Sequence, residues 1–272
     1  MTDDSSNGEE LLRRLNTAVP HPARVYDVWL GGKDNYPADR AAAAAGLEAF
    51  PSTIHSVRAN RAFLARVVEY LAAEEGIRQF LDIGTGLPSA NNTHEVAQAT
   101  AAESRVVYVD NDPVVMLHAQ ALLTGTAPGV TDYVEADLRE PGPILAAAER
   151  TLDFTEPVAI MLIAILHFIS DEEHPYQIVN SLMDAVPPGS FLVVSHLASD
   201  IFPEELGAFA RDFNERSAEK VTLRDRDAVA GFFSGLDLVE PGVVQVSQWR
   251  PRSELEGAAP NAVWCGVGRK TA

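Results

Sequence analysis

The sequence predicts an α/β domain whose sheet is mostly parallel, seven-stranded and closed by an antiparallel last strand, with a helical extension in front of it. Three observations carry that prediction. From Ile77 onward, short apolar runs alternate with helical stretches, the pattern of a parallel sheet covered on both faces. The run Phe80-Leu81-Asp82-Ile83 ends in Gly84-Thr85-Gly86, and Asn92 with Glu95 then forms a capping-box pair, so strand, glycine turn and helix follow one another. Only Ser247 to Asn261 separates the last two apolar runs, which leaves no room for a packed crossover helix and implies antiparallel pairing.

Residues 1 to 15 are polar and acidic and read as disordered or loosely helical. Ala23 to Leu30 reads as a short helix ended by Gly31-Gly32. Lys33, Asp34, Asn35 and Tyr36 then stand in a row. Such a density of hydrogen-bonding groups beside flexible backbone suits a binding loop or lid, with Tyr26 in the helix before it, Lys33, Asp34 and Asn35 in the lid and Tyr36 as a contact to the bound cofactor. The same segment also suits a docked arm anchored by Tyr26 and Trp29. Ala38 to Phe50, with its alanine run, is a helix. After Pro51 a longer helix extends from Ser52 to Glu75, its apolar face at Ile54, Val57, Leu64, Val67, Val68 and Leu71. Arg58 and Arg61 share one side of it, either as solvated surface or, with Arg58 as the candidate, as a clamp on a ligand carboxylate. Residues 1–75 are thus expected to form an arm and helical cap or lid, and residues 76–272 the sheet domain.

The glycine turn and three ordered acids point to a ligand. Gly84 and Gly86 permit a tight turn around Thr85 and a close backbone approach. A dinucleotide fingerprint would place a third glycine at 89, which is Ser89. Asp82, two residues before Gly84, favours S-adenosylmethionine (SAM), whose ammonium group a carboxylate at the strand tip attracts. Asp110 ends the strand Arg105–Asp110, 24 residues beyond Gly86, where an acid reaches both ribose hydroxyls; Asn111 follows it. Asp112 reads as a helix N-cap before Pro113. Asp137, at the exit of the strand Thr131–Leu138, is placed to accept from an adenine amine, with Leu138 packed near the ring.

Val158 to Leu166 is apolar throughout and reads as a central strand, with His167 at its tip as a general base, a substrate contact or a polar group shaping the pocket. Asp171, Glu172 and Glu173 are expected to begin the next helix, ended by Pro187-Pro188-Gly189. Phe191 to Leu197 is a fifth strand, and His196 within it reads as structural. Helices over Pro203–Glu219 and Arg224–Phe233 precede the two closing strands, Val243–Val246 and Ala262–Val267. Cys265 lies inside the last of these and reads as inert.

Composition narrows the function. The chain of 272 residues carries 21 basic and 39 acidic side chains, a net charge of −18, and no basic stripe, which disfavours nucleic-acid partners. One cysteine excludes an internal disulfide and a cysteine-rich metal cluster, and no metal site is assigned. An acidic start, the reverse of a signal peptide, and no apolar run long enough to span a bilayer predict a cytoplasmic protein without a membrane partner. The sequence assigns no oligomeric state.

Several motifs together resemble a known family. They are Ala23-Arg24-Val25-Tyr26-Asp27 with Leu30-Gly31-Gly32-Lys33-Asp34-Asn35-Tyr36, Arg58-Ala59-Asn60-Arg61, the glycine turn with Leu87-Pro88, Val109-Asp110-Asn111-Asp112-Pro113, Leu166-His167-Phe168, Pro241-Gly242-Val243-Val244 and Trp249-Arg250-Pro251. Spread over nearly the whole chain, they resemble the S-adenosyl methyltransferase family once catalogued as a domain of unknown function. The resemblance implies a Rossmann-like SAM-dependent methyltransferase fold, in which Pro88 is ordinary, and favours the lid reading of Tyr26 to Tyr36. The expected reaction is transfer of the SAM methyl group to a small-molecule acceptor. A SAM-binding regulatory protein and a nicotinamide-dependent oxidoreductase are the alternatives.

Overall fold

The computed structural model describes residues 16–122, 128–217 and 219–271, so the reading of residues 1 to 15 lies outside the described residues. One mixed sheet runs in the order β3-β2-β1-β4-β5-β8-β6, with β7 also paired to β8. Its strands are β1 (Gln79–Ile83), β2 (Arg105–Asp110), β3 (Val130–Glu135), β4 (Ala159–Ile163), β5 (Phe191–Leu197), β6 (Asp237–Leu238), β7 (Val244–Gln245) and β8 (Val263–Arg269). The first five are mutually parallel, and β8 lies antiparallel to β5 from Phe191↔Arg269 to Leu197↔Val263. The expected closing pair is present, with Val244 opposite Cys265. The sheet has eight strands where the sequence predicts seven, because β6 is two exposed residues held only by β8, too short to leave an alternating pattern.

Each central strand feeds two cores because successive side chains point to opposite faces. Leu81, Val107, Ile160 and Leu192 enter one cluster, while Phe80, Val106, Met161 and Val193 enter the other. The first cluster is covered by α6 (Pro141–Ala148) and α7 (Pro175–Asp184) through Ile144, Ile178 and Leu182. The second is covered by the long helix α3 (Thr53–Ala73), whose Phe63, Leu64, Val67, Val68 and Leu71 recur at helical spacing. Complete burial of one such side chain is worth about 1.5–3 kcal/mol, so α3 is integral to the sheet's core.

A third cluster forms a cap. Val25 and Trp29 of α1 (Pro22–Leu30) and Ala43 of α2 (Pro37–Ala49) pack against Leu206, Phe209 and Phe213 of α8 (Pro203–Arg216). Gly31, in a left-handed conformation at φ 83°, ends α1 and donates its N–H to the Val28 carbonyl. On the sheet's other flank are α4 (Thr93–Thr100), capped by the expected Asn92–Glu95 box, and α5 (Pro113–Leu122), capped by Asp112.

Two expectations after β4 are corrected. The strand stops at Ile163 rather than Leu166, because Ala164 turns left-handed at φ 56° and its N–H donates to Ser195 Oγ; Leu166–Phe168 is then a 3-10 turn. Asp171–Glu173 is a second 3-10 turn, and the helix starts only at Pro175, since left-handed His174 (φ 55°) breaks the chain between them. Near the C-terminus α9 covers only Arg226–Gly231 and α10 Glu254–Gly257.

Candidate functional site

The chain leaves β1 for β2 on one side and, after β3, returns to β4 on the other. The loops beyond the ends of β1 and β4 therefore diverge and leave a crevice at the topological switch point. A cleft of about 1640 Å3, its open mouth included, lies there beneath the cap. Sequence-predicted Tyr26, Asp82, Gly84, Thr85, Gly86, Asp110, Asn111, Asp137, Leu138 and His167 all line it.

The floor is the glycine turn. Gly84 (φ 77°) and Gly86 (φ 66°) are left-handed, and a Cβ on Gly84 would lie 2.6 Å from Ile165 Cγ1. The turn is pinned by Gly84 and Thr85 N–H groups donating to Val109 O, and by Gly86 N–H donating to Asp110 Oδ2 at 2.8 Å. Asp82 is 4 % exposed and accepts one hydrogen bond, 2.6 Å from Thr93 Oγ1. Burial raises its carboxyl to about 6. Asp110 is also raised by burial, against the N–H groups of Asp112 and Gly86 that favour its charge.

The neighbouring acids differ. Burial opposes ionisation of Asp112, yet His21 Nδ1 at 3.0 Å and Arg24 beyond it hold the carboxyl below its ordinary range. Asp137 accepts from Asn111 Nδ2 at 3.0 Å and from Arg139, whose guanidinium also bonds Glu173, Glu219 and the Phe168 carbonyl. Arg139 thus ties the exit of β3 to the turn after β4 and to the segment after α8. Sequence reasoning missed it, although it directly follows Asp137-Leu138.

His167 lies in the 3-10 turn after β4, 5 % exposed, with no hydrogen-bond partner on Nδ1. Burial, then His196 and Arg224, lowers its pKa well below the ordinary histidine value, so the ring is neutral. His196 is structural: Arg224 donates to its Nε2 at 2.9 Å, which puts the proton on Nδ1 facing Leu197 O. Cys265 is buried and its thiol is pushed far up, which suppresses the reactive thiolate.

On the α3 side, Arg61 lines the cleft and donates to the carbonyls of Ala90 and Asn91, whereas Arg58 is exposed and outside the lining. Asn60, missed as a site residue, lines the cleft at 2 % exposure with an unpartnered Oδ1. Its orientation follows from Tyr26, whose hydroxyl donates to Val57 O and therefore accepts from Asn60 Nδ2 at 3.0 Å. The signal in the sequence was a lone amide between two arginines on an otherwise amphipathic helix.

Lys33, Asp34, Asn35 and Tyr36 do not line the cleft. Lys33 is exposed, and the groups around it bond within the cap. Asp27 Oδ2 accepts from Asp34 N–H at 3.1 Å and Asn35 Nδ2 at 2.9 Å. Gly32 is required because any Cβ there would sit 1.8 Å from Asp27 Oδ1. Tyr36 N–H donates to Asp39, which is fully buried and also accepts from Arg24, while the Arg24 guanidinium lies over the Tyr36 ring.

Among the described residues no cluster of three or more acidic, histidine or cysteine side chains could hold a metal ion, and no helix is long and apolar enough to cross a membrane. The sequence matches the family described as S-adenosyl methyltransferase over residues 8–271. It is similar to the solved structure of a DUF574 family protein from Streptomyces avermitilis, at 45 % identity over 94 % of this chain and 99 % of that one, TM-score 0.91. It is also similar to a proposed methyltransferase from Thermobifida fusca, at 40 % identity over 95 % and 97 % of the two chains, TM-score 0.88. A SAM-dependent methyltransferase from Anabaena variabilis shares the fold at 14 % identity over 75 % and 83 %, TM-score 0.51. A comparison with curated proteins gives no match.

Proposed function

Since this chain belongs to the S-adenosyl methyltransferase family and is a SAM-dependent methyltransferase, we propose that it methylates a small-molecule acceptor within the cleft, in the cytoplasm. The observation that carries the assignment of roles is Asp82, a nearly buried carboxylate at the tip of β1 whose one hydrogen bond comes from a neutral hydroxyl. Such a group calls for a cationic partner, and the SAM ammonium is one.

The remaining roles follow from position. Asp110 accepts from the ribose hydroxyls through its remaining lone pairs, since each oxygen already receives one backbone N–H. Asn111 and Asp137 lie at the adenine edge, and Leu138 packs beside the ring. Arg61, rather than the exposed Arg58, takes the carboxylate of the methionine moiety, with Thr85 and the glycine turn beneath. Bound SAM supplies an electrophilic methyl group on a sulfonium. The chain's own contribution is alignment and exclusion of water, both of which accelerate transfer without a dedicated base. His167, neutral and unpartnered, contacts the acceptor. In this proposal α1 and α2 form the cap of the site: Tyr26, Trp29 and Leu30 of α1 wall the cleft, and the loop after α1, bonded to Asp27 and Asp39, holds that helix in place over it.

Calorimetric titration with SAM, S-adenosylhomocysteine and NAD tests the cofactor roles: SAM and its product bind, and NAD does not. Incubation with methyl-labelled SAM and fractionated metabolites tests the acceptor. Tight SAM binding with no transfer to any low-molecular-weight fraction would replace the small-molecule enzyme by a protein-directed or regulatory role.

A further inference from the structure

The cleft has two chemically distinct ends. The strand tips contribute carboxylates, whereas the wall toward the cap is a run of rings. His167 lies 4.4 Å from Phe168 between centroids, Phe168 6.2 Å from Phe213, Phe213 5.8 Å from Phe209, and Phe209 6.1 Å from Trp29. All five residues line the cleft. The planes are tilted against one another or stacked, offering faces and edges in the geometries that aromatic pairs favour.

Polar groups on this wall are few. Trp29 Nε1–H is already used, donating to Ala43 O at 3.0 Å. Glu219, at the margin, is paired with Arg139 at 3.1 Å. His167 Nδ1 is the exception on this wall: the residue borders the cleft, its side chain is more than nine-tenths buried, and that nitrogen, set beneath the surface of the rings, has no partner; Asn60 Oδ1 is the corresponding atom on the α3 side. A charged acceptor placed among these rings would lose its hydration, and the ions that border the cleft there are already engaged, Asp27 with Asp34 N–H and Asn35 and Glu219 with Arg139. An apolar acceptor with no polar group would leave the imidazole nitrogen orphaned.

We propose that the cap end of the cleft binds a flat, uncharged aromatic molecule carrying one hydroxyl or amine group, its ring against Phe168, Phe213, Phe209 and Trp29 and its O–H or N–H donating to His167 Nδ1. The inference rests on the methyltransferase reading of the cleft and deepens it, since the group held by His167 is the one presented for methylation. His167 is here a contact that orients the acceptor. The Arg224 guanidinium that donates to His196 makes a further positive charge on this pair of rings costly, so His167 only accepts the hydrogen bond. The acceptor's lone pair takes the methyl as the sulfonium S–C bond breaks, S-adenosylhomocysteine is left, and the proton of the methylated group passes to water at the open mouth of the cleft.

The test uses the full chain saturated with S-adenosylhomocysteine and four probes of similar size: 2-naphthol, 2-methylnaphthalene, 2-decalol and 2-naphthoate. Calorimetry is expected to show 2-naphthol binding at least tenfold more tightly than each of the other three, which lack the donor, the aromatic rings or the neutral charge. In His167→Phe the preference of 2-naphthol over 2-methylnaphthalene should disappear; the comparison of probes on the unaltered protein stands even if that variant does not fold. Equal binding of 2-naphthol and 2-methylnaphthalene, or preference for 2-decalol or 2-naphthoate, would overturn the inference. So would the failure of 2-naphthol to bind while S-adenosylhomocysteine does. Failure of S-adenosylhomocysteine itself to bind, read in the first titration, would instead overturn the cofactor roles beneath it.

Discussion

Replacing Asp82 by asparagine should make the ligand-free protein more stable and the enzyme worse. The carboxyl rises from an ordinary 3.8 to about 6 because it is buried with only Thr93 Oγ1 bonded to it. At 1.36 kcal/mol per pH unit, a gap of that size corresponds to ~3 kcal/mol held against the folded state when the group is ionised. The sign follows from linkage. Below pH ~3 Asp82 is protonated in both folded and unfolded chains and the penalty is absent; it grows through the interval up to about 6 and is complete above it. The substituted amide is neutral at every pH, and its oxygen can still accept from Thr93.

Thermal unfolding of the wild type and Asp82→Asn at pH 4 and pH 7.5, without ligand, reads this directly. The variant should be more stable by up to ~3 kcal/mol at pH 7.5, and the advantage should shrink to about 0.5 kcal/mol at pH 4. SAM affinity of the variant should fall by roughly 1.5–3 kcal/mol, the range for a lost charged hydrogen bond. Wild-type affinity should weaken below about pH 6, as the carboxylate takes up a proton. A variant that is less stable at pH 7.5, or whose stability difference is the same at both pH values, would refute the view that Asp82 is a charge waiting for a cation.

Asp110→Ala should weaken SAM binding by about 1.5–3 kcal/mol and also lower the melting temperature, because the N–H groups of Gly86 and Asp112 lose their acceptor; an unchanged SAM affinity in the folded variant would reject the ribose role. Arg61→Ala should weaken SAM at least tenfold while Arg58→Ala leaves it unchanged, and calorimetry giving the reverse order would restore Arg58 as the clamp. Gly84→Ala should cost about 1–3 kcal/mol of stability from its left-handed backbone alone, with more from the contact at Ile165, and a denaturant midpoint equal to wild type would contradict the turn. Asp27→Ala should raise amide exchange across residues 31–36 in the absence of ligand, and exchange equal to that of the wild type would mean that the Asp27 carboxylate does not hold the loop.

What the sequence made legible was what depends on strict spacing. The short apolar runs and the glycines at 84 and 86 placed Asp82, Asp110 and Asp137 at successive strand ends, and the structure brings all three to one cleft. Features set by tertiary geometry were less accessible. Arg58 and Arg61 lie only ~60° apart around a helix at 3.6 residues per turn, and it is Arg61 that turns to the cleft, held by the carbonyls of Ala90 and Asn91. The apolar run Val158 to Leu166 carries no mark of the left-handed turn at Ala164, which depends on Ser195 of the neighbouring strand. The aromatic wall could not be read at all, since its rings come from α1, the turn after β4 and α8, and singly each has the pattern of ordinary core.

The signature from Arg24 to Tyr36 shows why polar density alone misdirects. Its hydrogen-bonding groups suggested contacts to a ligand, yet in the structure they mostly satisfy one another. Arg24 and the Tyr36 N–H meet on Asp39, the Asp34 N–H and Asn35 meet on Asp27, and Gly32 is there because nothing larger clears that carboxylate. Two buried carboxylates thereby fix both ends of a loop that would otherwise cost roughly 1–2 kcal/mol of backbone entropy per residue to order. The residues of the same segment that do reach the cleft are Tyr26, Asp27, Trp29 and Leu30, on the helix that this loop secures. The motif therefore acts on the cleft at one remove: its polar half sets the position of α1, and α1 in turn presents Trp29 to the ring-lined end and Tyr26, through Asn60, to the α3 wall.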